Sequence, residues 1–229
     1  TVNFMRPVLT DEEVAAARAE VCRVAEALFA RHGVEGVTMR QIASQLGWSP
    51  TTAYRYFKSK EEILAAVRAS AFDRFCEVIE RATRSSPDPR ITARNVGQAY
   101  LGFALENQDA YRMMFDISQA DATGNAELAE ALARARRSMV AYVALLIHED
   151  ILGGDALALG HMLWAAAHGL VMLRLSGIVR SDTELRQLHE TTMSALVRGA
   201  HQTTAGSRGT GAREHVNPIS GRKGARKTR

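Results

Sequence analysis

The chain has 229 residues, of which 46% are hydrophobic and 24% are charged, and its formal net charge is +4. A chain of this length and apolar content can bury a sizeable core in one or two domains, which excludes an intrinsically disordered protein. Alanine is abundant, β-branched runs are short and only five prolines occur, so an almost wholly helical, all-α fold is predicted.

The first predicted helix begins with a capping box at Thr10 and Glu13, in which each side chain accepts a backbone N–H of the other residue. Apolar residues then recur at three- and four-residue steps as far as Gly33. This spacing predicts a long amphipathic helix, and we expect its apolar side to cover the two short helices that follow.

Two short helices joined by a tight glycine turn are predicted next. Thr38 and Gln41 form a second capping box, and Gly47 can adopt the left-handed conformation that ends a helix. Ser49 is a good N-cap for the following helix, and Pro50 suits its first position. This layout is typical of a helix-turn-helix, which places its second helix in the major groove of DNA.

The second short helix is expected to bury Ala53 and Phe57 and to expose its polar side. Hydroxyl, phenol and guanidinium groups donate to phosphates and base edges, and Arg can bind guanine through two hydrogen bonds. A lysine at a helix start gains nothing from the helix dipole, which favours a phosphate contact for Lys60. We expect base contacts from Thr51, Thr52 and Arg55, phosphate contacts from Tyr54, Tyr56 and Lys60, and further DNA contacts from Thr38, Arg40 and Ser49.

This segment resembles the N-terminal domain of the TetR family of bacterial transcriptional regulators. The resemblance covers residues 10–65 and implies a homodimer that binds a palindromic double-stranded DNA operator. It departs from the family pattern at Trp48, where a small aliphatic residue is usual, and at Ala53, where Leu, Val or Ile is usual. A large residue beside a small one is expected to conserve packing volume. The matching positions are Thr38-Met-Arg-Gln-Ile-Ala, Gly47, Ser49, Tyr54, Tyr56-Phe57 and Lys60-Glu-Glu-Ile-Leu.

A long helix is predicted from Ser59 to Arg84, where a run containing two prolines ends it. Because it begins beside the DNA-reading helices and continues into the rest of the protein, we expect it to link the two parts mechanically. Five further helices are predicted over residues 91–106, 109–115, 125–149, 155–175 and 182–201, which gives nine in all.

The predicted organisation is a DNA-binding domain over residues 10–57, a larger helical domain over residues 58–202 and a basic tail over residues 203–229. In the TetR architecture the larger domain binds a small molecule and forms the dimer. The resemblance implies that the last two long helices provide most of the dimer interface. It also implies that ligand binding favours a conformation in which the two reading helices are wrongly spaced, which requires different ligand affinities for the two states.

Aromatic and methionine side chains concentrate in the larger domain. Flexible methionines beside aromatic rings favour an adaptable cavity for a small, largely apolar effector, although any single residue of this kind is more often part of a plain core. The predicted ligand-binding residues are Tyr100, Phe103, Tyr111, Met114, Phe115, Met139, Tyr142, Trp164, His168 and Met172.

Trp164 and His168 stand one turn apart on a single predicted helix, beside Gly169, which is expected to permit a close helix approach. The string from Leu163 to Leu170 resembles the C-terminal subgroup of TetR regulators that is named for its Trp, His and Gly. The run Tyr111-Arg-Met-Met-Phe also resembles that subgroup.

Patterns typical of enzymes are missing from the sequence, which has no Ser-His-Asp signature, glycine-rich phosphate loop or H-E-x-x-H. His161 and His168 lie near one face of a helix without a neighbouring carboxylate or cysteine, so no metal site and no cofactor are predicted. Cys22 and Cys76 are expected to be reduced, structural thiols. A helical ligand- or metal-binding enzyme remains the alternative from a different class.

The basic character of the chain comes from its C-terminal end. Residues 203–229 hold seven Lys or Arg and one Glu, a net charge of +6, so residues 1–202 sum to −2. This tail is predicted to be a solvated, disordered extension, with a nonspecific phosphate-binding arm as the alternative. No apolar run approaches the length of a membrane span and no signal peptide is recognised, which predicts a cytoplasmic protein.

Overall fold

A computed structural model describes residues 10–116 and 124–209, with side chains as far as residue 200. Within these ranges the chain forms helices only, so the predicted all-α fold is confirmed. The helices are α1 (Asp11–His32), α2 (Met39–Gln45), α3 (Pro50–Ala53), α4 (Lys60–Thr83), α5 (Pro89–Glu106), α6 (Gln108–Met114), α7 (Ala126–His148), α8 (Ala156–Leu175) and α9 (Asp182–Gly209).

Three helix boundaries differ from the sequence-based expectation. Helix α5 begins earlier than predicted, because the carboxylate of Asp88 accepts the Arg90 N–H at 2.8 Å and Pro89 occupies the first helical position. Helix α3 is only one turn long, and a further turn carries the chain on to Phe57. Helix α9 continues to Gly209, so residues 203–209, predicted to belong to the disordered tail, are helical; the rest of that tail lies outside the described residues.

Helix α4 takes part in two separate hydrophobic cores. Its first turns bury Ile63 and Val67 in a core shared with α1, α2 and α3. Further along, Phe72 and Phe75 are buried in a second core with α5, α6, α7 and α8. A single continuous helix therefore connects the N-terminal helices to the larger C-terminal bundle.

A polar network holds α7 against α4. The guanidinium of Arg134 donates to both carboxylate oxygens of Glu80 at 2.9 Å and to Asp73 at 3.0 Å, and Ser138 donates to Glu80 at 2.9 Å. The hydrogen bond from Arg134 lowers the pKa of Glu80. Two-pronged pairs of this kind fix geometry as well as adding energy, so α7 has a defined register on α4.

Helix α8 is more apolar than the sequence analysis expected. It is 20 residues long and contains an 18-residue stretch with a mean hydropathy of 1.5, enough by length and composition to cross a membrane. The expectation that no stretch of such length occurs was wrong, because the glycines and histidines of α8 interrupt its apolar run without adding charge. Only 22% of this stretch is buried; the buried residues are Gly160, Leu163, Ala167 and Val171. The described chain thus leaves an apolar side of α8 exposed.

Candidate nucleic-acid interface and ligand cavity

The helix-turn-helix is built by the caps that the sequence indicated. The Thr38 hydroxyl accepts the Gln41 N–H at 3.3 Å, and the Gln41 side chain accepts the Thr38 N–H at 2.8 Å. Gly47 has a φ of +68°, a backbone conformation that glycine adopts without a steric penalty. The Ser49 hydroxyl then accepts the Thr52 N–H at 3.2 Å and starts α3.

The inner side of α3 is anchored as predicted, with Ala53 and Phe57 fully buried. Trp48, one of the two departures from the TetR pattern, is partly buried against the same core. Its ring packs on that of Tyr56, with 5.4 Å between ring centroids. The large side chain at position 48 therefore packs both against the core that contains Ala53 and against Tyr56 in the turn that follows α3.

The predicted DNA-binding residues fall into two groups by exposure. Side chains that face solvent are free to donate to a nucleic acid, whereas partly buried ones are already held by the protein. The exposed group comprises Thr38, Arg40, Ser49, Thr51, Tyr54 and Arg55, and the partly buried group comprises Thr52, Tyr56 and Lys60. The hydroxyls of Ser49 and Thr52 also hydrogen-bond to each other at 2.9 Å. The free donors of this surface are therefore concentrated on Arg40, Thr51, Tyr54 and Arg55.

Lys60 has an internal role that the sequence did not reveal. Its ammonium donates to the Val34 carbonyl at 2.9 Å and lies 3.7 Å from the Glu35 carboxylate. It therefore ties the start of α4 to the turn after α1. Lys58, two residues earlier, is exposed, and its ammonium has no partner among the described residues. The sequence-based prediction omitted Lys58, although its position between α3 and α4 is evident from the sequence.

Arg18 of α1 is a second residue that sequence reasoning missed. Its guanidinium donates to the Tyr56 carbonyl at 2.7 Å and lies 4.0 Å from the centroid of the Phe57 ring. It also contacts Glu62 at 3.6 Å and donates to Glu127 of α7 at 3.2 Å. One side chain thus joins α1, the turn after α3, the start of α4 and the C-terminal bundle. No local pattern in the sequence indicates such long-range contacts.

A cavity of about 330 Å³ lies in the C-terminal bundle between α5, α7, α8 and α9. Its size is at the lower end of the range for small-molecule sites. Three predicted ligand-binding residues, Tyr100, Met139 and Tyr142, line it. The cavity is also lined by residues that the prediction omitted because the search followed aromatic and methionine side chains of the middle helices: Arg94, Gly97, Arg186, His189, Glu190 and Met193.

Four of the remaining predicted ligand-binding residues pack together beside the cavity, with Tyr111 buried and the other three half-buried. The Tyr111 hydroxyl hydrogen-bonds to that of Tyr100 at 2.6 Å and to Nδ1 of His168 at 2.7 Å. The Phe115 ring packs on both Trp164 and His168, with 6.3 Å and 4.5 Å between ring centroids. Burial raises the pKa of both tyrosines and lowers that of His168. The two tyrosines and His168 are therefore neutral at pH 7, and the Tyr111 hydroxyl joins them by hydrogen bonds.

The last three predicted ligand-binding residues lie elsewhere. Phe103 is buried against Phe75, with 5.4 Å between ring centroids, and Met114 is buried in the second core. Met172 is 41% exposed on the outer side of α8. None of the three lines the cavity.

Gly169 does not have the role expected within the subunit. A Cβ placed on it would meet no described atom within 4 Å, whereas a Cβ on Gly160 would come within 2.9 Å of the Val140 side chain. The close approach of α8 to α7 therefore occurs at Gly160, and the prediction of a close approach at Gly169 is wrong for contacts inside the described subunit.

The described part of the chain was expected to hold structural thiols and no metal site. No group of three His, Cys, Asp or Glu residues there is placed to hold a metal ion. Burial raises the pKa of both thiols, Cys22 and Cys76, to about 11. Since the thiolate is the reactive form, both cysteines are protonated and weakly reactive at pH 7.

Two family profiles match the chain in the order of its two parts. Residues 22–67 match "Bacterial regulatory proteins, tetR family", and residues 93–196 match "Tetracyclin repressor-like, C-terminal domain". The first match contains α2 and α3, and the second contains most residues that line the cavity.

Curated relatives are similar over part of their length. The chain is 27% identical over 99 residues to the transcriptional activator FasR of Mycolicibacterium smegmatis, an alignment covering 43% of this chain and 45% of FasR. It is 32% identical over 73 residues to the transcriptional repressor AcnR of Corynebacterium diphtheriae, covering 32% of this chain and 38% of AcnR. The chain thus spans less than half the length of these relatives.

Solved structures share the fold over nearly their whole length. A TetR-family transcriptional regulator from Pectobacterium atrosepticum superposes with a TM-score of 0.66 at 21% identity, covering 84% of this chain and 97% of that chain. Identity at this level establishes a common fold. Because TetR-family profiles match both residues 22–67 and residues 93–196, the chain belongs to the TetR family of bacterial regulatory proteins.

Proposed function

We propose that this protein is a cytoplasmic, homodimeric transcriptional repressor that binds a palindromic DNA operator and is released by a small, largely apolar effector. One observation carries the proposal: a helix-turn-helix with an exposed polar side and a ligand-sized cavity occur in one chain and are connected through the continuous helix α4. Relatives named as a transcriptional activator and as transcriptional repressors support a regulatory role.

The dimer would form through the exposed apolar side of α8 together with α9. A helix that is apolar all round is normally buried on all sides, yet Met162 and Met172 of α8 are 51% and 41% exposed. Gly169 lies on this exposed side and would allow the backbones of two subunits to approach closely. A two-fold axis through this surface would present two α3 helices to successive major grooves, about 34–36 Å apart.

Contact with DNA would rest on a few exposed donors. Residues 1–202 carry a net charge of −2, so a general positive field does not supply the affinity. Arg40 and Tyr54, at the two ends of the helix-turn-helix, would contact phosphates, and Thr51 and Arg55 would contact base edges. We assign Lys58, not Lys60, as the phosphate-binding lysine, because Lys60 already donates to the Val34 carbonyl.

The effector would act on α3 through the helices that border the cavity. Helix α7 contributes Met139 and Tyr142 to the cavity, and its first turn holds Glu127 against Arg18. Arg18 in turn holds the Tyr56 carbonyl after α3. A shift of α7 on ligand binding would therefore change the contact that positions the reading helix. Such a shift needs a ligand that binds one arrangement more tightly than the other.

Trp164, His168 and Gly169 support assignment to the TetR subgroup that is named for these three residues. His168 hydrogen-bonds to the Tyr111 hydroxyl, and Trp164, one turn earlier on α8, packs on the Phe115 ring. Their one-turn spacing brings both side chains onto α6 and the residue that ends it, which gives the first two residues of the motif a structural purpose. The third, Gly169, would serve the dimer.

Nuclease footprinting of the full chain on the DNA flanking its own gene tests the function. A discrete protected palindrome is the expected result, and loss of protection on adding an effector would identify a repressor of the proposed type. Uniform protection would instead favour nonspecific binding through the basic tail, and no protection would favour an enzyme with a coincidental helix-turn-helix.

A further inference from the structure

The mouth of the cavity carries two arginines from different helices. Arg94 projects from α5 and Arg186 from α9, and both line the cavity while remaining exposed. Neither guanidinium has an ion pair or a hydrogen bond with another described residue. Most other arginines of the described chain that line a groove or an interface, such as Arg18, Arg74 and Arg134, donate to carboxylates. The two cavity arginines therefore have free donors directed to one shared space.

The inner wall of the same cavity is apolar. It is formed by buried side chains of α5, α7 and α8, and Tyr142 places a buried phenol among them. The cavity therefore changes from an apolar interior to a charged entrance. The buried apolar side chains that line it are Val96, Leu101, Met139, Leu146, Leu163 and Ala167.

The other titratable groups at the entrance leave a positive balance. Glu190 stands one turn after Arg186 on α9 and is the one carboxylate that lines the cavity. His189 packs against Gly97, and burial lowers its pKa, so the imidazole is neutral at pH 7. Two guanidiniums thus face a single carboxylate.

The cavity volume limits the apolar part of a ligand. If each non-hydrogen atom occupies about the 30 Å³ of a water molecule in the liquid, a cavity of about 330 Å³ holds on the order of ten such atoms. A chain or ring system of that size would fill the apolar interior and leave its polar end at the entrance.

We infer that the cavity binds an amphipathic acid whose apolar body, of about ten non-hydrogen atoms, fills the interior and whose carboxylate or phosphate head contacts Arg94 and Arg186. This inference rests on the proposed function only in taking the cavity as the effector site. It narrows that effector from a largely apolar molecule to an anionic one.

Calorimetric titration of the full chain with four ten-carbon probes tests the inference. Decanoate and decyl phosphate carry the two acidic heads, whereas decanol and decylamine present the same tail with a neutral and a cationic head; all are used below their micelle concentrations. One or both acids should bind at least about fivefold more tightly than decanol, the contribution of a favourable exposed ion pair. Which acid binds more tightly distinguishes a carboxylate from a phosphate ligand.

Three variants, each of which removes one charge at the entrance, show where the acidic head group binds. R94Q and R186Q should each weaken binding of the preferred acid by about fivefold and leave decanol binding unchanged. E190Q should strengthen acid binding, because it removes the one carboxylate at the entrance. R198Q serves as the control, since Arg198 is an exposed arginine of α9 outside this cavity.

The inference is overturned if decanol or decylamine binds as tightly as both acids, if none of the four probes binds, or if R198Q weakens acid binding as much as R94Q and R186Q do. Probe binding is measured without DNA, and operator binding is measured without probe. A protein that binds the acids but no operator would therefore contradict the proposed function and leave the ligand assignment intact.

Discussion

The two lysines between α3 and the body of α4 differ in what they already bind. Lys58 is exposed, and its ammonium has no partner in the described chain, whereas Lys60 donates to the Val34 carbonyl at 2.9 Å. Lys58→Ala should therefore lower DNA affinity equally on operator and random DNA and reduce the salt slope by about 1, the effect of one lost phosphate contact. Titrations by fluorescence anisotropy at several salt concentrations check this.

Lys60→Ala provides the matched control for Lys58. Its loss removes a partly buried hydrogen bond between α4 and the turn after α1, so the free energy of unfolding should fall by about 1 kcal/mol while the salt slope stays unchanged. Denaturant unfolding of both variants separates the roles. A reduced salt slope for Lys60→Ala, with unchanged stability, would contradict this assignment and support the phosphate contact that the sequence predicts for Lys60.

The exposed arginines of the helix-turn-helix should differ in specificity. Arg55 is exposed directly after α3. In the proposed function its guanidinium contacts base edges, so Arg55→Ala should cost about 1–3 kcal/mol on the operator and much less on random DNA. Arg40→Ala, at the start of α2, should cost a similar amount on both. Competition binding with the two DNAs measures the difference. Equal losses for Arg55→Ala on both would count against base reading.

At the scale of elements, Arg18 makes two contacts whose loss should affect operator binding differently, one with the turn after α3 and one with α7. Arg18→Met removes the hydrogen bond to the Tyr56 carbonyl after α3 and should lower operator affinity in the absence of any ligand. Glu127→Gln weakens only the link to α7, so it should change that affinity by no more than about fivefold, because exposed ion pairs contribute at most about 1 kcal/mol. Anisotropy titrations of the two variants check this order. A larger loss of affinity for Glu127→Gln than for Arg18→Met would contradict the proposal that Arg18 of α1 positions α3.

Helices α5, α6 and α8 depend on the hydrogen bonds of Tyr111. Its hydroxyl contacts both Tyr100 and His168 in the cluster of rings beside the cavity. Tyr111→Phe leaves these two groups short of a partner and should lower the free energy of unfolding by about 1–3 kcal/mol. Tyr54→Phe, which alters a phenol that is 53% exposed, is the control and should unfold like the unchanged protein. An unaffected Tyr111→Phe would mean that the cluster is not the structural element described above.

Helix positions were predictable from the sequence because capping residues act locally. Thr10, Thr38, Ser49 and Ser59 each cap the helix that follows them. The cavity was not predictable in the same way, since it depends on how α9 packs against α5. His189 and Met193 stand one turn apart on α9 and were the available signal. Of the aromatic residues chosen instead, Tyr100 and Tyr142 line the cavity, whereas Tyr111, Phe115 and Trp164 pack together beside it.

At the scale of the whole molecule, the exposed side of α8 should hold the dimer together. Met172→Glu places a charge in this apolar surface and should shift the protein to monomers, with loss of operator binding as a consequence. Ile91→Glu is the control, because it places the same charge at an apolar residue that is 47% exposed on a different helix, α5. Analytical ultracentrifugation of both variants decides the matter. Equal dissociation of the two, or of neither, would place the interface elsewhere.

Selection of binding sites from a random pool of duplex DNA, with the full chain as bait, tests the proposed regulator most directly. A dimer that presents two α3 helices should enrich an inverted repeat whose half-site centres lie about 10–10.5 base pairs apart, or a multiple of that spacing. Recovery of no enriched sequence, or of a single unrepeated motif, would contradict a homodimer that reads a palindromic operator.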